Sequence, residues 1–376
     1  MIITGKKVLT PRGLEAFKTL VVEGTKITQV RDASDDERKQ AHDILIPGFI
    51  DVQVNGGGGV LLNQQCTSEA VDTIMRAHRH FGTTAMMPTL ITDSVETMID
   101  AAQAIIDARN EQVPGIIGVH FEGPWLSTAR KGVHSEAFIR QPSEEELTLL
   151  QNPALGVVMV TVAPENVAPE TIRQLTDAGI RVFLGHSDAS AQQARAALEA
   201  GAVGFTHLYN AMSPLQSRAP GMVGTALAHD SSYAGIIVDG YHVDAVACQV
   251  AFRAKGANRM ILVTDAMALA ATDLQEVPFF DTRIIREGDR LTTPDGTLAG
   301  SCLTMIDALR NTVSDCGIAL QEASQMASQT PAEMLGVSNQ YGKLDEGLTA
   351  DILALNHALT LTHVWQHGRL TDTPTE

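Results

Sequence analysis

The sequence predicts an α/β protein, a (β/α)₈ TIM-like barrel with a small β-sandwich domain built from both chain termini. Three observations support this prediction. Short apolar segments alternate with longer helical patterns through the middle of the chain, both chain ends carry strand patterns alone, and polar residues directly follow several apolar segments. Regular alternation of strands and helices is typical of a parallel sheet, in which a helix makes each crossover.

Length and composition fit this architecture. The chain has 376 residues, which is enough for one large barrel and a small second domain. Apolar residues make up 44% of it, as in ordinary globular proteins. We expect residues 46–341 to form the barrel, and residues 1–45 together with 342–376 to form the small domain.

The terminal segments favour β structure. Residues 17–22 and 26–30 are predicted as strands, because Glu23-Gly24-Thr25 between them suits a hairpin turn. The polar stretch 33–40 is interpreted as an exposed turn, and 342–347 as a turn that leads to strands at 351–355 and 361–366. Strands at opposite chain ends most simply pair with each other, so the barrel is expected to be inserted between them.

The barrel strands and helices follow from the apolar periodicity. The predicted strands are residues 49–54, 83–87, 116–122, 157–162, 181–185, 204–207, 233–238 and 259–264. The predicted helices are 67–81, 93–109, a segment opening at Ser143, 169–178, 190–200, 243–255 and 301–316. A doubly wound open sheet is the alternative, but no Gly-x-Gly-x-x-Gly follows the first strand. The tract Asn55-Gly-Gly-Gly-Gly59 is instead interpreted as a flexible loop over the barrel mouth.

Chemistry-bearing residues stand where the predicted strands end. Gly123-Pro124 must stop the strand just after Glu122, and barrel enzymes carry catalytic residues at this position. A single carboxylate there would more simply be a surface partner of a lysine. The functional interpretation prevails because other strands end in the same way, with the whole set being Gln53, Glu122, His186, His207 and Asp265.

Three of these residues have metal-ligand chemistry. Glu122, His186 and His207 supply one carboxylate and two imidazoles, the usual protein ligands of a catalytic zinc whose fourth position holds water. Asp265 ends the most apolar strand, where it could act as a general base beside such a water; the alternative is a helix N-cap. Isolated histidines are more often structural, which is how we interpret His78, His80, His229, His357, His363 and His367.

Charge and cysteine content restrict the partners. The formal net charge of −17 argues against nucleic acid and anionic membranes, although a small anionic substrate needs only a local cluster of donors. No apolar run approaches the roughly 20 residues that span a bilayer, and the N-terminus lacks a signal-peptide pattern, so a cytoplasmic protein is expected. The four cysteines form no Cys-x-x-Cys pair and are interpreted as reduced thiols.

Eight motifs occur in order over nearly the whole chain: PGFIDVQVNG (47–56), HFEGPW (120–125), KGVH (131–134), GHS (185–187), THLYNAM (206–212), DGYHVD (239–244), VTDA (263–266) and GSCLTM (300–305). As a set they resemble those of the N-acetylglucosamine-6-phosphate deacetylases, a family of the amidohydrolase superfamily. The resemblance implies a metal-dependent hydrolase of amino-sugar catabolism that releases acetate and glucosamine-6-phosphate.

The resemblance also implies residue roles. Glu122, His186 and His207 would bind the metal, Asp265 would be general base and then general acid, and His134 would polarise the acetyl carbonyl. The phosphate would be held by Asn210, Arg218 and His242 with the backbone at Ala211. Arg218 would lie near a homodimer interface and could serve the neighbouring subunit. The remaining substrate-binding positions would be Gln53, Val133, Leu298, Ala299, Gly300 and Ser301.

One departure from the wider superfamily bears on metal number. Many members carry His-x-His after the first barrel strand, where this chain has Asp51 and Gln53, and the fourth strand has no lysine that could bridge two metals. We therefore expect one divalent metal per subunit, zinc or alternatively ferrous iron. Gln53 is expected to hydrogen-bond a water in the vacant second site.

Two other functions remain open at this point. The chain could be another amidohydrolase, such as an N-acyl-amino-acid deacetylase or a deaminase, although a neutral substrate would not require the phosphate set. It could also be a non-catalytic sugar-phosphate sensor, although a sensor has no use for Asp265. The sequence does not separate the glucosamine from the galactosamine epimer, because that choice depends on contacts to one hydroxyl.

Overall fold

The computed structural model of the chain describes residues 1–371. In chain order, the strands are β1 (Ile2–Thr10), β2 (Gly13–Glu23), β3 (Lys26–Asp32), β4 (His42–Pro47), β5 (Phe49–Val54), β6 (Gly56–Gly57), β7 (Val60–Leu61), β8 (Thr83–Ile91), β9 (Gly118–Glu122), β10 (Val157–Val162), β11 (Arg181–Leu184), β12 (Gly204–Phe205), β13 (Tyr233–Ile236), β14 (Met260–Leu262), β15 (Glu276–Phe279), β16 (Thr282–Glu287), β17 (Arg290–Thr292), β18 (Ile352–Leu355), β19 (Leu361–Gln366) and β20 (Arg369–Leu370). The α-helices are α1 (Asp35–Arg38), α2 (Ser68–Arg79), α3 (Val95–Asn110), α4 (Glu144–Leu150), α5 (Pro169–Asp177), α6 (Ala191–Glu199), α7 (Gly221–Ala228), α8 (Ala245–Lys255), α9 (Met305–Ser314), α10 (Leu320–Ala327) and α11 (Gln329–Leu335).

The predicted barrel is confirmed. Eight strands form one sheet in the order β14-β13-β12-β11-β10-β9-β8-β5, with parallel pairing throughout. A parallel bridge between Val54, the last residue of β5, and Ala266, which follows β14, brings the two edges of the sheet together. Because all strands run the same way, their carboxyl ends meet at one mouth of the barrel.

Helix caps in the sequence act as predicted. Ser143 caps α4 in a capping box with Glu146, and Thr67 accepts a hydrogen bond from the backbone of Ala70 at the start of α2. The apolar faces of these helices pack against the barrel strands in one large core. Helices α7, α10 and α11 were not predicted from the sequence.

The two chain ends form a separate sheet, as expected. Its strand order is β20-β19-β18-β4-β1-β2-β3, and the antiparallel pair of β4 with β18 joins the N-terminal and C-terminal strands. This sheet has its own small core, which includes Leu20, Leu45 and Trp365. The stretch 33–40 is not only a turn, because Ser34 and Glu37 form a capping box that starts α1. Residues 372–376 of the predicted small domain lie outside the described residues.

The prediction of a flexible glycine loop was wrong. Gly56 and Gly57 are buried in a short hairpin with β7, and Gly56 donates its backbone N–H to Ala266 O at 2.9 Å. A Cβ on Gly56 would collide with the carbonyl of Val60. The glycines are therefore required by close packing rather than by mobility.

Strands β15, β16 and β17 form an antiparallel sheet that lies between β14 and α9 in the chain. This sheet was not predicted from the sequence. Its buried residues Val277, Phe279 and Ile284 share a cluster with Met267 and Ala299. This insertion therefore supports the segment around residues 297–300, which borders the mouth of the barrel. Within residues 1–371, no helix is both long and apolar enough to cross a membrane.

Candidate metal centre and substrate cavity

The backbone turns sharply where the candidate ligands leave the barrel strands. His186, His207 and Asp265 have φ values of 45°, 28° and 52°, in the left-handed region that side chains other than glycine rarely adopt. Glu122 is followed by Gly123, where a Cβ would collide with Thr92 Oγ1. Such conformations cost energy and cluster at functional sites. Here they direct side chains from four strands toward one point.

Glu122, His186 and His207 converge at that point. Glu122 Oε1 lies 3.0 Å from His207 Nε2 and 3.3 Å from His186 Nε2, and the two Nε2 atoms are 3.0 Å apart. The three side chains are almost fully buried. Ligand atoms about 2.0–2.1 Å from one tetrahedral ion would be roughly 3.3 Å apart. The spacing of these three atoms fits a bound divalent metal.

The neighbouring groups favour the protonation states in which these residues can bind a metal. His186 Nδ1 lies 2.9 Å from the backbone carbonyl oxygen of Arg130. Because that oxygen only accepts hydrogen bonds, Nδ1 carries the hydrogen of the ring. The Nε2 lone pair is then left for a metal. Burial alone would raise the pKa of Glu122, but the adjacent imidazoles of His186 and His207 hold that pKa well below its usual range. Glu122 is therefore a carboxylate.

Asp265 is held beside this group by two amides. Asn55 Nδ2 donates to Asp265 Oδ1 at 2.7 Å, and Gln53 Nε2 lies 3.2 Å from the same oxygen. Burial and the charge of Glu122 raise the pKa of Asp265 to about 6, against the lowering effects of His207 and Asn55. The carboxyl is consequently ionised at neutral pH, but close enough to its pKa to carry a proton.

Gln53 links the two carboxylates of the site. Its Nε2 donates to Glu122 Oε1 at 3.0 Å as well as to Asp265, so the amide joins the two carboxylates directly. Gln53 does not border the substrate cavity. Its amide therefore orients the two carboxylates, and the expected contacts of Gln53 with a substrate and with a water stay predictions.

A cavity of about 210 Å³ opens over these residues. It brings together most of the predicted site, namely Glu122, Val133, His134, His186, His207, Asn210, Ala211, His242, Asp265, Leu298 and Gly300. Ala299 and Ser301 lie behind this lining, and the Ser301 hydroxyl donates to Thr264 O at 2.5 Å. The cavity is also lined by residues that were not predicted as site residues, namely Asn55, Ile91, Gly132, Met267 and Thr297. Asn55 could have been found, because it follows the first barrel strand directly.

His134 is buried at the edge of the metal-ligand group. Its Nδ1 lies 2.8 Å from Thr92 Oγ1, and its Nε2 lies 4.0 Å from Glu122 Oε2. Burial, together with the charge of His186, lowers the pKa of His134 well below its usual value. The ring is therefore neutral, and its hydrogen lies on Nδ1 while the Thr92 hydroxyl donates to Glu122 O at 3.0 Å.

The predicted phosphate ligands separate into two places. Asn210 and Ala211 lie in the turn after His207 and share the cavity with His242. His242 is paired with Asp239, at 2.6 Å between Nδ1 and Oδ2. Arg218 lies elsewhere, beside a second depression of about 510 Å³ that also includes Asp188 and Pro220. Within one chain, Arg218 is not brought to the cavity.

Comparisons with known proteins agree with this geometry. The model of the amidohydrolase family matches residues 44–371. An N-acetylgalactosamine-6-phosphate deacetylase from Shewanella sp. is 45% identical over 98% of this chain and 95% of its own length. An N-acetylglucosamine-6-phosphate deacetylase from Vibrio furnissii is 35% identical over 87% and 82%, respectively. The crystal structure of N-acetylglucosamine-6-phosphate deacetylase from Pasteurella multocida superposes with a TM-score of 0.94 at 34% identity, covering 99% of this chain and 100% of that one.

Proposed function

The chain belongs to the amidohydrolase family, and on that premise we propose that it removes the acetyl group from an N-acetylhexosamine 6-phosphate. With N-acetylglucosamine-6-phosphate, the products are glucosamine-6-phosphate and acetate. The observation that carries the proposal is the convergence of Glu122, His186 and His207 beside Asp265, in the same cavity as His242 and Asn210. This cavity combines a hydrolytic centre with donors for an anion.

Glu122, His186 and His207 fit one divalent metal, which we propose to be zinc, with ferrous iron as the alternative. Bound there, the metal supplies Lewis-acid chemistry, activating water and polarising the acetyl carbonyl. Asp265 takes a proton from the attacking water and delivers it to the departing sugar amine, so the same carboxyl acts first as base and then as acid. Asn55 and Gln53 bond only Oδ1 of Asp265, which leaves Oδ2 for this proton.

His134 is proposed to donate a hydrogen bond from Nε2 to the acetyl oxygen, where negative charge develops. That role requires the tautomer with hydrogen on Nε2. Thr92 Oγ1 lies 2.8 Å from Nδ1 and donates its single hydrogen to Glu122 O at 3.0 Å, so in this arrangement it accepts from Nδ1–H. The Nε2–H tautomer is therefore proposed to form when the Thr92 hydroxyl turns its hydrogen from Glu122 O to His134 Nδ1.

The galactosamine epimer is a second candidate substrate, favoured by the Shewanella relative that is named for it. The deciding assay measures acetate release from both 6-phosphates and from unphosphorylated N-acetylglucosamine, with metal content determined on the same preparation. We expect release only from phosphorylated sugars, with about one metal per chain. Turnover of N-acyl amino acids alone would identify another amidohydrolase. Tight binding of the sugar phosphates without any acetate release would identify a sensor.

We also propose that Arg218 reaches the cavity of a second copy in a homodimer. A complementation experiment tests this, because Arg218→Ala and Asp265→Asn should each be inactive alone. In a mixed dimer, one cavity would receive intact Arg218 from the Asp265→Asn subunit while keeping its own Asp265. Recovery of activity after co-expression is expected. Mixed dimers that form without recovery would restrict Arg218 to its own subunit or remove it from the site.

Residues 46–341 are proposed as the catalytic unit, and 1–45 with 342–376 as a supporting domain. The pairing of β4 with β18 supports this division, because it closes the small sheet next to the start of the barrel. The cytoplasmic location expected from the sequence stays a prediction.

A further inference from the structure

One turn of a neighbouring segment holds the candidate metal ligand His186 on two sides. Ser127 donates its backbone N–H to His186 O at 2.9 Å, and Arg130 O accepts the hydrogen of His186 Nδ1 at 2.9 Å. The backbone N–H of Arg130 donates to Ser127 O at 3.1 Å, which closes the turn between these two contacts. His186 has a φ of 45°, and such strained conformations persist only where the surroundings fix them. The turn is therefore in a position to determine the direction of the imidazole.

The side chain of Arg130 fastens this turn to the strand end that carries His186. Arg130 Nε and Nη2 each lie 2.9 Å from Oδ1 of Asp188, which comes just after His186 in the chain. Asp188 is held in turn through its backbone N–H, which donates to Glu165 Oε1 at 2.8 Å. Arg130 therefore contacts the His186 region twice, with its carbonyl on the ring and with its guanidinium on the carboxylate of Asp188.

This ion pair is too exposed to contribute much to the stability of the whole fold. The side chains of Arg130 and Asp188 are 38% and 51% exposed, and exposed ion pairs add little to the free energy of unfolding. A local effect is expected instead, because a ligating imidazole is sensitive to the group that accepts its second N–H. Loss of such a group weakens metal binding about 10- to 100-fold.

The segment that contains Arg130 also carries His134. The backbone N–H of His134 donates to the carbonyl of Lys131 at 3.0 Å, so its position depends on the residue next to Arg130. A shift of Arg130 would therefore move both the acceptor for the metal ligand and the side chain proposed to contact the acetyl oxygen. Asn210 and His242, at the other end of the cavity, belong to different segments.

We propose that Arg130 is a positioning residue, because its ion pair with Asp188 holds the carbonyl that orients His186. Through the same segment, the pair couples metal affinity to the position of His134. The inference rests on the proposed function for the role of His134, whereas its statement about metal affinity does not depend on the substrate. Coupling between two binding or ordering events is reciprocal, so metal binding should also order the segment 128–139.

Zinc affinity of the full chain tests the proposal without turnover. The metal is removed, and zinc is returned in competition with a chelating dye, for the wild type, Arg130→Met, Asp188→Asn and the double variant. Each single variant should bind zinc about tenfold more weakly. The double variant should bind zinc no more weakly than either single variant, because both substitutions break the same contact. Unchanged affinity in Arg130→Met, or losses that add in the double variant, would overturn the proposal.

Two further variants separate positioning from a general structural effect. Arg310→Met is the matched control, because Arg310 pairs with Asp307 at the same 2.9 Å and with side chains 40% and 41% exposed, but within α9 and outside the cavity lining. It should bind zinc as the wild type does. Arg130→Lys keeps the charge and should recover part of the lost affinity. An equal loss in Arg310→Met and Arg130→Met would contradict a specific role of Arg130.

Hydrogen exchange of the backbone amides in segment 128–139 supplies the second measurement. Zinc should slow this exchange in the wild type and much less in Arg130→Met, because the link between the metal ligand and the segment is weakened. No effect of zinc on the segment in the wild type would overturn the coupling. Because that comparison needs no variant, it remains decisive even where a substitution impairs folding.

Steady-state kinetics at saturating zinc separate this inference from the proposed function. Arg130→Met should lower kcat with little change in KM for the phosphorylated substrate, because Asn210 and His242 lie on other segments. If the wild type releases acetate from a phosphorylated sugar but zinc affinity is equal in every variant, only this inference fails. If no acetylated sugar phosphate is hydrolysed but Arg130→Met and Asp188→Asn still bind zinc more weakly, the proposed function fails and the positioning of His186 stands.

Discussion

The side-chain nitrogen of Asn55 lies 2.7 Å from Oδ1 of Asp265, although 210 residues separate them in the chain. Asn55 directly follows β5, the first barrel strand, and its backbone N–H donates to Ala266 O at 2.9 Å. The two segments are thus fixed to each other by both backbone and side chain. This relationship determines which oxygen of Asp265 is free to exchange protons.

Asn55→Ala should therefore lower kcat without removing the metal. The substitution deletes the shorter of two hydrogen bonds to Oδ1, so Asp265 can rotate out of position, and we expect a loss of about tenfold or more. The control is Asn152→Ala, because the exposed side chain of Asn152 lies outside the cavity and accepts the N–H of nearby Ala154. Steady-state kinetics together with metal analysis measure the effect. Unchanged kcat would show that Gln53 alone positions Asp265.

Asp265→Asn should abolish turnover while metal content stays constant, because the amide cannot accept a proton. General base catalysis contributes about 100- to 10,000-fold, which sets the size of the loss. In the wild type, kcat/KM should fall as pH drops through about 6, where the carboxyl becomes protonated. A bound cation lowers a carboxyl pKa, so this decrease should occur at or below that value. Substantial turnover by the variant would remove Asp265 from the mechanism.

Glu122→Gln should lose bound metal, because a neutral amide is a poor ligand. His120→Gln provides a matched control from the same strand. His120 is fully buried, but its ring nitrogens contact Thr89 and Thr161 at 3.3 and 2.8 Å rather than the ligand group. His120→Gln should therefore keep about one metal per chain, as measured by elemental analysis. Metal loss in both variants would point to general unfolding instead.

Thr92→Val should reduce kcat about tenfold with metal retained, because His134 Nδ1 loses the hydroxyl that orients the ring and that would be its donor in the Nε2–H tautomer. Thr92→Ser keeps the hydroxyl and should restore most of the activity. Separate determination of kcat and KM for the two variants tests this prediction. Equal losses in valine and serine variants would indicate a packing defect at the strand end.

Asp351 should make the stability of the fold depend on pH. Burial raises the pKa of Asp351 to about 7 from an ordinary 3.8, at a site where Oδ1 accepts His367 N–H at 2.7 Å between the small sheet and the barrel. This difference between the folded and the ordinary pKa corresponds to roughly 4 kcal/mol in the free energy of unfolding. The pKa of Asp351 is higher in the folded state than in the unfolded state. Its contribution to the free energy of unfolding is therefore complete below the unfolded pKa and is lost as pH rises through about 7.

Asp351→Asn should consequently melt near the wild-type temperature at pH 5 and above it at pH 8. Thermal unfolding of both proteins across this range, with exposed Asp345→Asn as control, provides the measurement. A difference between Asp351→Asn and wild type that does not change with pH would contradict the buried-acid explanation.

Most of the barrel could be predicted because its information is local. The eight strands are apolar segments, and their ends are marked by glycine, proline or a polar residue, as at Glu122 and Gly123. The predicted strand ends were less accurate at the mouth of the barrel. The strand predicted at 259–264 is Met260–Leu262 in the structure, because the following residues leave the sheet to position Asp265. The short strands β15 to β17 were missed because their pattern resembles that of loops.

The sequence by itself determined the barrel, the terminal sheet, and the residue types gathered at the mouth. Parallel strands bring their carboxyl ends together, so strand-end residues such as Glu122, His186 and His207 meet without further information. Only the tertiary structure decided which of these atoms form hydrogen bonds with one another. Gln53 joins Glu122 and Asp265 across 69 and 212 residues of chain, and Arg218 lies away from the cavity. Such contacts depend on packing distances and side-chain directions, which residue type and periodicity do not specify.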